Sequence, residues 1–151
     1  MPGSCRILSR PLVALLACAA FGVACAQTLV SVKAGAANLR TAPGRGGQVL
    51  WRLDRGYPLE VLERRGGWLK VRDFEGEQGW IAAGVTGPTR HHVVRSRTAK
   101  LRAGPGDGYP IVGSAVYGQV FTTEFRGENW VRVRIAPRQP AWIARDLVWG
   151  W

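Results

Sequence analysis

The chain has 151 residues, three cysteines and a net charge of +11. Cys5, Cys18 and Cys25 all precede residue 27. Everything after residue 26 therefore has no disulfide to form, no thiol nucleophile and no Cys-based metal site, so its folding rests on packing alone. No later segment is apolar for long enough to cross a membrane.

Arg6 and Arg10 precede Leu12–Ala26, an unbroken apolar or small stretch that closes with Ala24-Cys25-Ala26. This is the plan of a secretory signal peptide, so residues 1–26 are set aside as a cleaved leader. As a helix the stretch reaches only ~22 Å, short of the roughly 30 Å hydrocarbon core, which disfavours a spanning anchor. Acylation at Cys18 as a lipoprotein is the minority alternative. The exported chain keeps 19 basic residues against ten acidic ones, a net charge of +9. A field of that sign gathers anionic partners, and export argues against nucleic acid among them. A solvated surface that maintains solubility is the alternative for the same charge.

After Gln27 the chain repeats itself at a spacing of 62 residues. Laid without a gap on Lys100–Leu147, the segment Asn38–Val85 matches at 13 of 48 positions. Leu39-Arg40 falls on Leu101-Arg102, Pro43-Gly44 on Pro105-Gly106, and Gly56 on Gly118. Trp68 falls on Trp130, Val71-Arg72 on Val133-Arg134, and Trp80-Ile81-Ala82 on Trp142-Ile143-Ala144. Each copy is about the size of the smallest domains that fold alone.

In the first copy, Val49–Leu53, Leu59–Leu62, Trp68–Arg72 and Gly79–Ala82 read as strands of four to five residues. Pro43-Gly44 supplies a fixed φ followed by a residue that tolerates φ > 0, as a type II turn requires. Phe74-Glu75-Gly76-Glu77 reads as a hairpin tip. Residues 87–93 read as a linker in which Gly87-Pro88 breaks any strand, and Val93-Val94 is the earliest start of the next one. Extended geometry at His91-His92 points the two rings apart, and no third ligand is evident, so no metal site is expected.

The second copy repeats the strands at Ile111-Val112, Val120–Thr123, Trp130–Ile135 and Ala141–Ile143. Pro105-Gly106 gives the same type II turn signal. Ala136-Pro137-Arg138-Gln139-Pro140 replaces the first hairpin tip and marks where the copies should differ most. Closely spaced short strands of this kind signal a small barrel or sandwich.

The pattern Asn38-Leu39-Arg40-x-x-Pro43-Gly44, Gly56, Trp68-x-x-Val71 and Gly79-Trp80-Ile81 resembles the bacterial SH3-like (SH3b) family. The second copy repeats it as Leu101-Arg102, Pro105-Gly106, Gly118, Trp130-x-x-Val133 and Trp142-Ile143. The resemblance covers nearly all of residues 27–151 and implies an all-β chain of two tandem SH3-like barrels, each partly open with five or six strands. It also implies association with cell walls and wall enzymes. We place the first domain at 28–86 and the second at 94–151. Ala141, where the first copy has Gly79, departs from the pattern and suggests a hairpin shaped for a different ligand.

Alternation sets the candidate site. In Trp130–Ile135 the aliphatic residues share one face, so Trp130 shares the other with Arg132 and Arg134; Trp68, Lys70 and Arg72 repeat this. An indole flanked by cations suits a glycan carrying carboxylates, the ring stacking on sugar faces while the cations pair with the acids. The structural alternative is that tryptophans fill a small core while cationic stems cover them. Trp51, Tyr57, Tyr109 and Tyr117 lack aromatic counterparts in the other copy and are further recognition candidates. Leu39, Val71, Trp80, Leu101, Val133 and Trp142 read as mainly structural, and Trp149 and Trp151 as packed against a barrel.

No catalytic group and no cofactor is expected. The exported chain has no cysteine and only the His91-His92 pair, from which no Ser-His-Asp or Cys-His arrangement is readily built. Asp73, Glu75 and Glu77 read as a solvated acidic tip. The leading reading is a non-catalytic periplasmic or envelope protein that binds peptidoglycan or its peptide stem. An adaptor for another envelope protein, such as a wall hydrolase, is the alternative, and a ligand-free structural pair is a third.

Overall fold

The computed structural model describes residues 27–151. The leader, with its cleavage and acylation readings, lies outside the described residues. The first barrel comprises β1 (Thr28–Val32), β2 (Ala36–Arg40), β3 (Val49–Asp54), β4 (Pro58–Arg65), β5 (Trp68–Arg72), β6 (Gln78–Ala82), a 3-10 turn at Ala83–Val85 and β7 (Thr86–Gly87). The second repeats it with β8 (His91–Val94), β9 (Thr98–Arg102), β10 (Ile111–Val116), β11 (Val120–Arg126), β12 (Trp130–Ala136), β13 (Gln139–Ala144), a 3-10 turn at Arg145–Leu147 and β14 (Val148–Gly150).

The chain is all-β, two tandem SH3-like barrels. Strand order is β3-β2-β6-β5-β4-β1-β7 in one sheet and β10-β9-β13-β12-β11-β8-β14 in the other, all antiparallel. Each sheet has seven strands rather than five or six, because β7 and β14 pair with the opening strand of their own barrel. β8 begins at His91, inside the stretch that reads as linker in the sequence.

The repeated residues divide by face. Leu39 and Leu101, Val71 and Val133, and Ile81 and Ile143 lie inward, each no more than 4% exposed. Their neighbours Arg40 and Arg102 lie outward and pin the loop after their strand. Arg40 Nη1 donates to the Gly47 carbonyl at 2.8 Å, and Arg102 Nη1 donates to the carbonyls of Asp107 and Tyr109 at 2.8 and 2.9 Å. The Leu-Arg pair is thus a core residue followed by a loop clamp. Gly56 and Gly118 repeat because both sit in the left-handed region, at φ 87° and 79°, where a side chain is strained.

The turns only partly follow the sequence reading. Gly44 has φ 101°, as the type II signal requires, whereas Gly106 is not left-handed. In the second loop the Tyr109 ring occupies the space where a side chain at Gly104 would stand, and Tyr109 N–H donates to the Gly106 carbonyl at 3.2 Å, so the backbone takes another path. The two hairpin tips differ as well. The first is built on Asp73, whose Oδ1 accepts from the Glu75 and Glu77 amides at 2.9 Å each. Asp73 is therefore buried and turn-forming, a correction to the solvated acidic tip. The second is a tight turn in which Arg138 follows Pro137 at φ 62°. Left-handed Arg carries steric strain, so Arg138→Gly is expected to stabilise the protein by about 0.5 kcal/mol, read as a raised urea midpoint with unchanged slope.

The barrels touch through aromatic groups. Tyr57 lies 6.1 Å from Phe74, and Phe74 lies 5.4 Å from Tyr117 of the second barrel, centroid to centroid. The Tyr117 hydroxyl donates to the Glu75 carboxylate. A side chain at Gly56 would meet His91 Cδ2 at 2.9 Å, so the turn glycine also lets the second barrel approach. Beyond this contact, Trp151 Nε1 donates to Ser31 Oγ of β1 at 3.3 Å.

Candidate ligand-binding site

The outer faces of β5 and β12 carry the expected tryptophan and cations. Trp68, Lys70 and Arg72 are half-buried outside buried Leu69 and Val71. Trp130 and Arg132 are half-buried, and Arg134 is exposed, outside buried Val131 and Val133. The neighbouring strand changes their electrostatics. Arg72 donates to Glu60 on β4 at 2.6 Å. On β11, Glu124 takes both arginines, with Arg134 Nε at 2.9 Å and Arg132 Nε at 3.2 Å. The Arg132 contact is an ion pair without hydrogen-bond alignment. Three of the four flanking cations are thus matched by carboxylates, while among the described residues Lys70 has no carboxylate within ion-pair distance.

A cleft opens beside Trp130 that sequence alternation does not find. Phe125, Trp130, Trp142 and Pro105 enclose about 250 Å³ against the Gly127–Asn129 loop. Phe125 and Trp142 meet nearly edge to face at 6.0 Å. Extending the alternation from buried Phe121 would send Phe125 into the core. A bulge between Thr123 and Phe125 instead pairs Phe125 with Arg132, and Phe125 stands 55% exposed. Gly127 lets the loop close down, since a Cβ there would lie 3.1 Å from the Trp130 carbonyl.

The first barrel has the same frame with the cleft covered. At the place of Phe125 stands Glu63, and at the place of Gly127 stands Arg65. Glu63 Oε1 accepts from Arg65 Nη2 at 2.9 Å and Nε at 3.2 Å, and the Arg65 guanidinium lies 5.0 Å over the Trp80 ring. Trp80 is left 8% exposed, whereas its counterpart Trp142 is half-buried. The cation caps the indole face through cation–π attraction and by covering it with its own stem.

The remaining candidates lie elsewhere. Tyr57 and Tyr117 stand in the contact between barrels. Tyr57 also approaches Asp73 at 3.5 Å, and burial, followed by the Asp73 charge, pushes its hydroxyl well up. Tyr109 packs on Gly104 within the loop that Arg102 pins. Trp51, 56% exposed, lies on the edge strand β3 opposite Leu39. Its difference from Gly113 is coupled to the core. Leu39 Cγ lies 2.6 Å from where a Cβ at Gly79 would stand, while Leu101 Cδ1 lies 3.6 Å from where one at Gly113 would stand. Leu39 thus fills the space beside Gly79, whereas Leu101 stands at ordinary van der Waals distance from the place of a Cβ at Gly113. Gly79 and Ala141 are both buried.

His91 and His92 separate as strand geometry requires. His92 is 2% exposed, and its Nδ1 shares a hydrogen bond with Thr123 Oγ1 at 2.6 Å. Burial, then the charges of Arg126 and Arg145, pull its pKa down to about 4. Among the described residues, no three His, Cys, Asp or Glu side chains converge as metal ligands, and no helix is long and apolar enough to cross a membrane.

Curled seven-stranded sheets with an aromatic cleft between loops define a tandem pair of SH3-like modules. The chain belongs to the bacterial SH3 domain family, whose model matches residues 33–86 and 95–150. It is 23% identical over 139 residues to a putative N-acetylmuramoyl-L-alanine amidase of Bacillus subtilis, covering 82% of this chain and 27% of that protein. It is 34% identical over 47 residues to a probable cell wall amidase of Staphylococcus epidermidis, covering 30% of this chain and 16% of that protein. The chain thus spans about a quarter or less of these relatives. Among solved structures, an NlpC/P60 family protein from Bacillus cereus matches at 17% identity and a TM-score of 0.37, over 82% of this chain and 56% of that one. NlpC1 from Trichomonas vaginalis matches at 16% identity and a TM-score of 0.37, over 81% of this chain and 45% of that one.

Proposed function

We propose that the protein is a non-catalytic cell-wall-binding module of the bacterial envelope, and that the second barrel carries the primary site. The observation that supports this most directly is the aromatic cleft of Phe125, Trp130, Trp142 and Pro105, open in one barrel and covered by Arg65 in the other. Exposed indole and phenyl faces bordered by polar loop atoms suit a sugar ring or an extended peptide stem, which offer apolar faces and hydrogen-bonding edges together. The relatives named as amidases, one of them a cell wall amidase, support a cell-wall association, and each is far longer than this chain. Their catalytic activity is not carried over, because the chain spans only 27% and 16% of these relatives. The exported-leader reading agrees with an envelope location.

Co-sedimentation with peptidoglycan sacculi tests this reading. The protein should pellet saturably near physiological salt, and Trp130→Ala or Phe125→Ala should weaken binding at least tenfold while circular dichroism and melting remain those of a folded barrel. Trp68→Ala should change binding less than twofold. Binding that vanishes at modest salt and ignores the aromatic residues would leave only charge attraction at work. The adaptor reading would then be preferred.

A further inference from the structure

On the opposite flank of Trp130 lies a second and larger cleft of about 720 Å³, bordered by Arg95, Arg126, Arg145, Trp130 and Trp149, with His92 beneath. The sequence gives no hint of it, since its arginines come from the ends of β8 and β11 and from the 3-10 turn before β14. Two of them are held in place by neutral partners. Arg145 Nη1 donates to the Glu128 carbonyl at 3.2 Å, and Arg95 Nε donates to the Asp146 carbonyl at 3.0 Å. Backbone carbonyls fix a guanidinium without cancelling its charge.

Among the described residues no carboxylate lies within ion-pair distance of Arg95, Arg126 or Arg145. Arg126 and Arg145 sense each other: burial and then the Arg145 charge lower the Arg126 pKa. Juxtaposed cations without a counter-ion are unfavourable, and an incoming anion relieves that repulsion as it binds. The first barrel keeps cations at two of these places, Arg64 and Lys33, but Ala83, Gly87 and Val30 stand where the second has Arg145, Trp149 and His92.

We propose that this cleft binds a carboxylate, received by the guanidiniums of Arg126 and Arg145, on a ligand whose body lies against Trp130. Arginine forks match carboxylate and phosphate oxygens alike. The rim favours the singly charged group. Glu128 and Asp146 also border the cleft and repel a dianion more than a monoanion, while Asp107 is already taken by Arg102 at 3.0 Å. The cleft shares Glu128, Asn129 and Trp130 with the aromatic cleft, but its arginines do not border that one, so a small carboxylate probes it whether or not sacculi are bound.

The experiment is an NMR titration of the full protein, following the Arg Nε–H and Trp indole N–H signals, with N-acetylalanine, N-acetylalaninamide and inorganic phosphate. N-acetylalanine should give saturable shifts centred on Arg126, Arg145 and Trp130, at least tenfold tighter than the amide and tighter than phosphate at pH 7.5. Arg145→Ala, which installs the residue that the first barrel tolerates at this position, and Arg126→Gln should each weaken binding at least fivefold with the remaining spectrum folded. Arg52→Gln, on β3 of the first barrel, should leave it unchanged. Equal response to the amide, preference for phosphate, or binding that survives both Arg145→Ala and Arg126→Gln would overturn the assignment.

Discussion

Acidification from pH 6.5 to about 4 is expected to remove up to about 3 kcal/mol of stability through one buried side chain, His92. In the unfolded chain its imidazole takes a proton near the ordinary pKa of 6.5, whereas in the fold it stays neutral until about pH 4. Between those values the unfolded state binds more protons, so stability rises with pH across that window. Above pH 6.5 both states are neutral and the contribution is flat. Urea midpoints measured from pH 4 to 8 should fall on the acid side, and His92→Gln, which keeps an amide near Thr123 Oγ1, should flatten that slope. The imidazole resonances give a second readout that needs no variant. A His92 signal titrating near 6.5 in the folded protein would contradict the account.

Gly79→Ala should cost about 1–3 kcal/mol, a large loss for the addition of one methyl group. Its Cβ would stand 2.6 Å from Leu39 Cγ and 3.0 Å from the Arg40 carbonyl, and the carbonyl belongs to backbone that is paired in the sheet. The second barrel has alanine at this place, with Gly113 instead of a tryptophan paired to Leu101. Trp51→Gly combined with Gly79→Ala copies that arrangement. The double variant should therefore be more stable than the sum of the two single losses implies, by at least 0.5 kcal/mol in a double-mutant cycle. Strict additivity would show that the two leucines do not exchange space in this way.

The same pair shows what the sequence conveys. Val71 and Val133 alternate with basic neighbours and are read inward, as the structure has them, because one-sided burial imposes a period of two. β2 and β9 carry little such signal: Ala36-Ala37-Asn38-Leu39-Arg40 holds three residues of low strand propensity, and its pairing comes from the flanking strands. Trp51 differs between copies, which invites a recognition role, yet the difference accompanies a change in core packing that only the registers reveal.

The candidate site was legible to the depth of one strand. Alternation sets Trp130 beside Arg132 and Arg134, but Glu124 reaches both from β11, and cross-strand register cannot be read from one strand alone. Phe125 is hidden from alternation by the bulge that turns it outward. Arg126, at the end of β11, and Arg145, in the 3-10 turn, border one cleft although they lie far apart in the chain. In each case the missing information is tertiary, and the proposed recognition surface lies where regular alternation stops.

The most direct measurement is a backbone-resolved NMR titration of the protein with soluble peptidoglycan fragments. A shift pattern centred on Pro105, Phe125, Asn129, Trp130 and Trp142, with the Trp68 and Trp80 signals of the first barrel unmoved, is the result this account predicts. Shifts confined to the first barrel, or none at concentrations where other wall-binding modules respond, would contradict it.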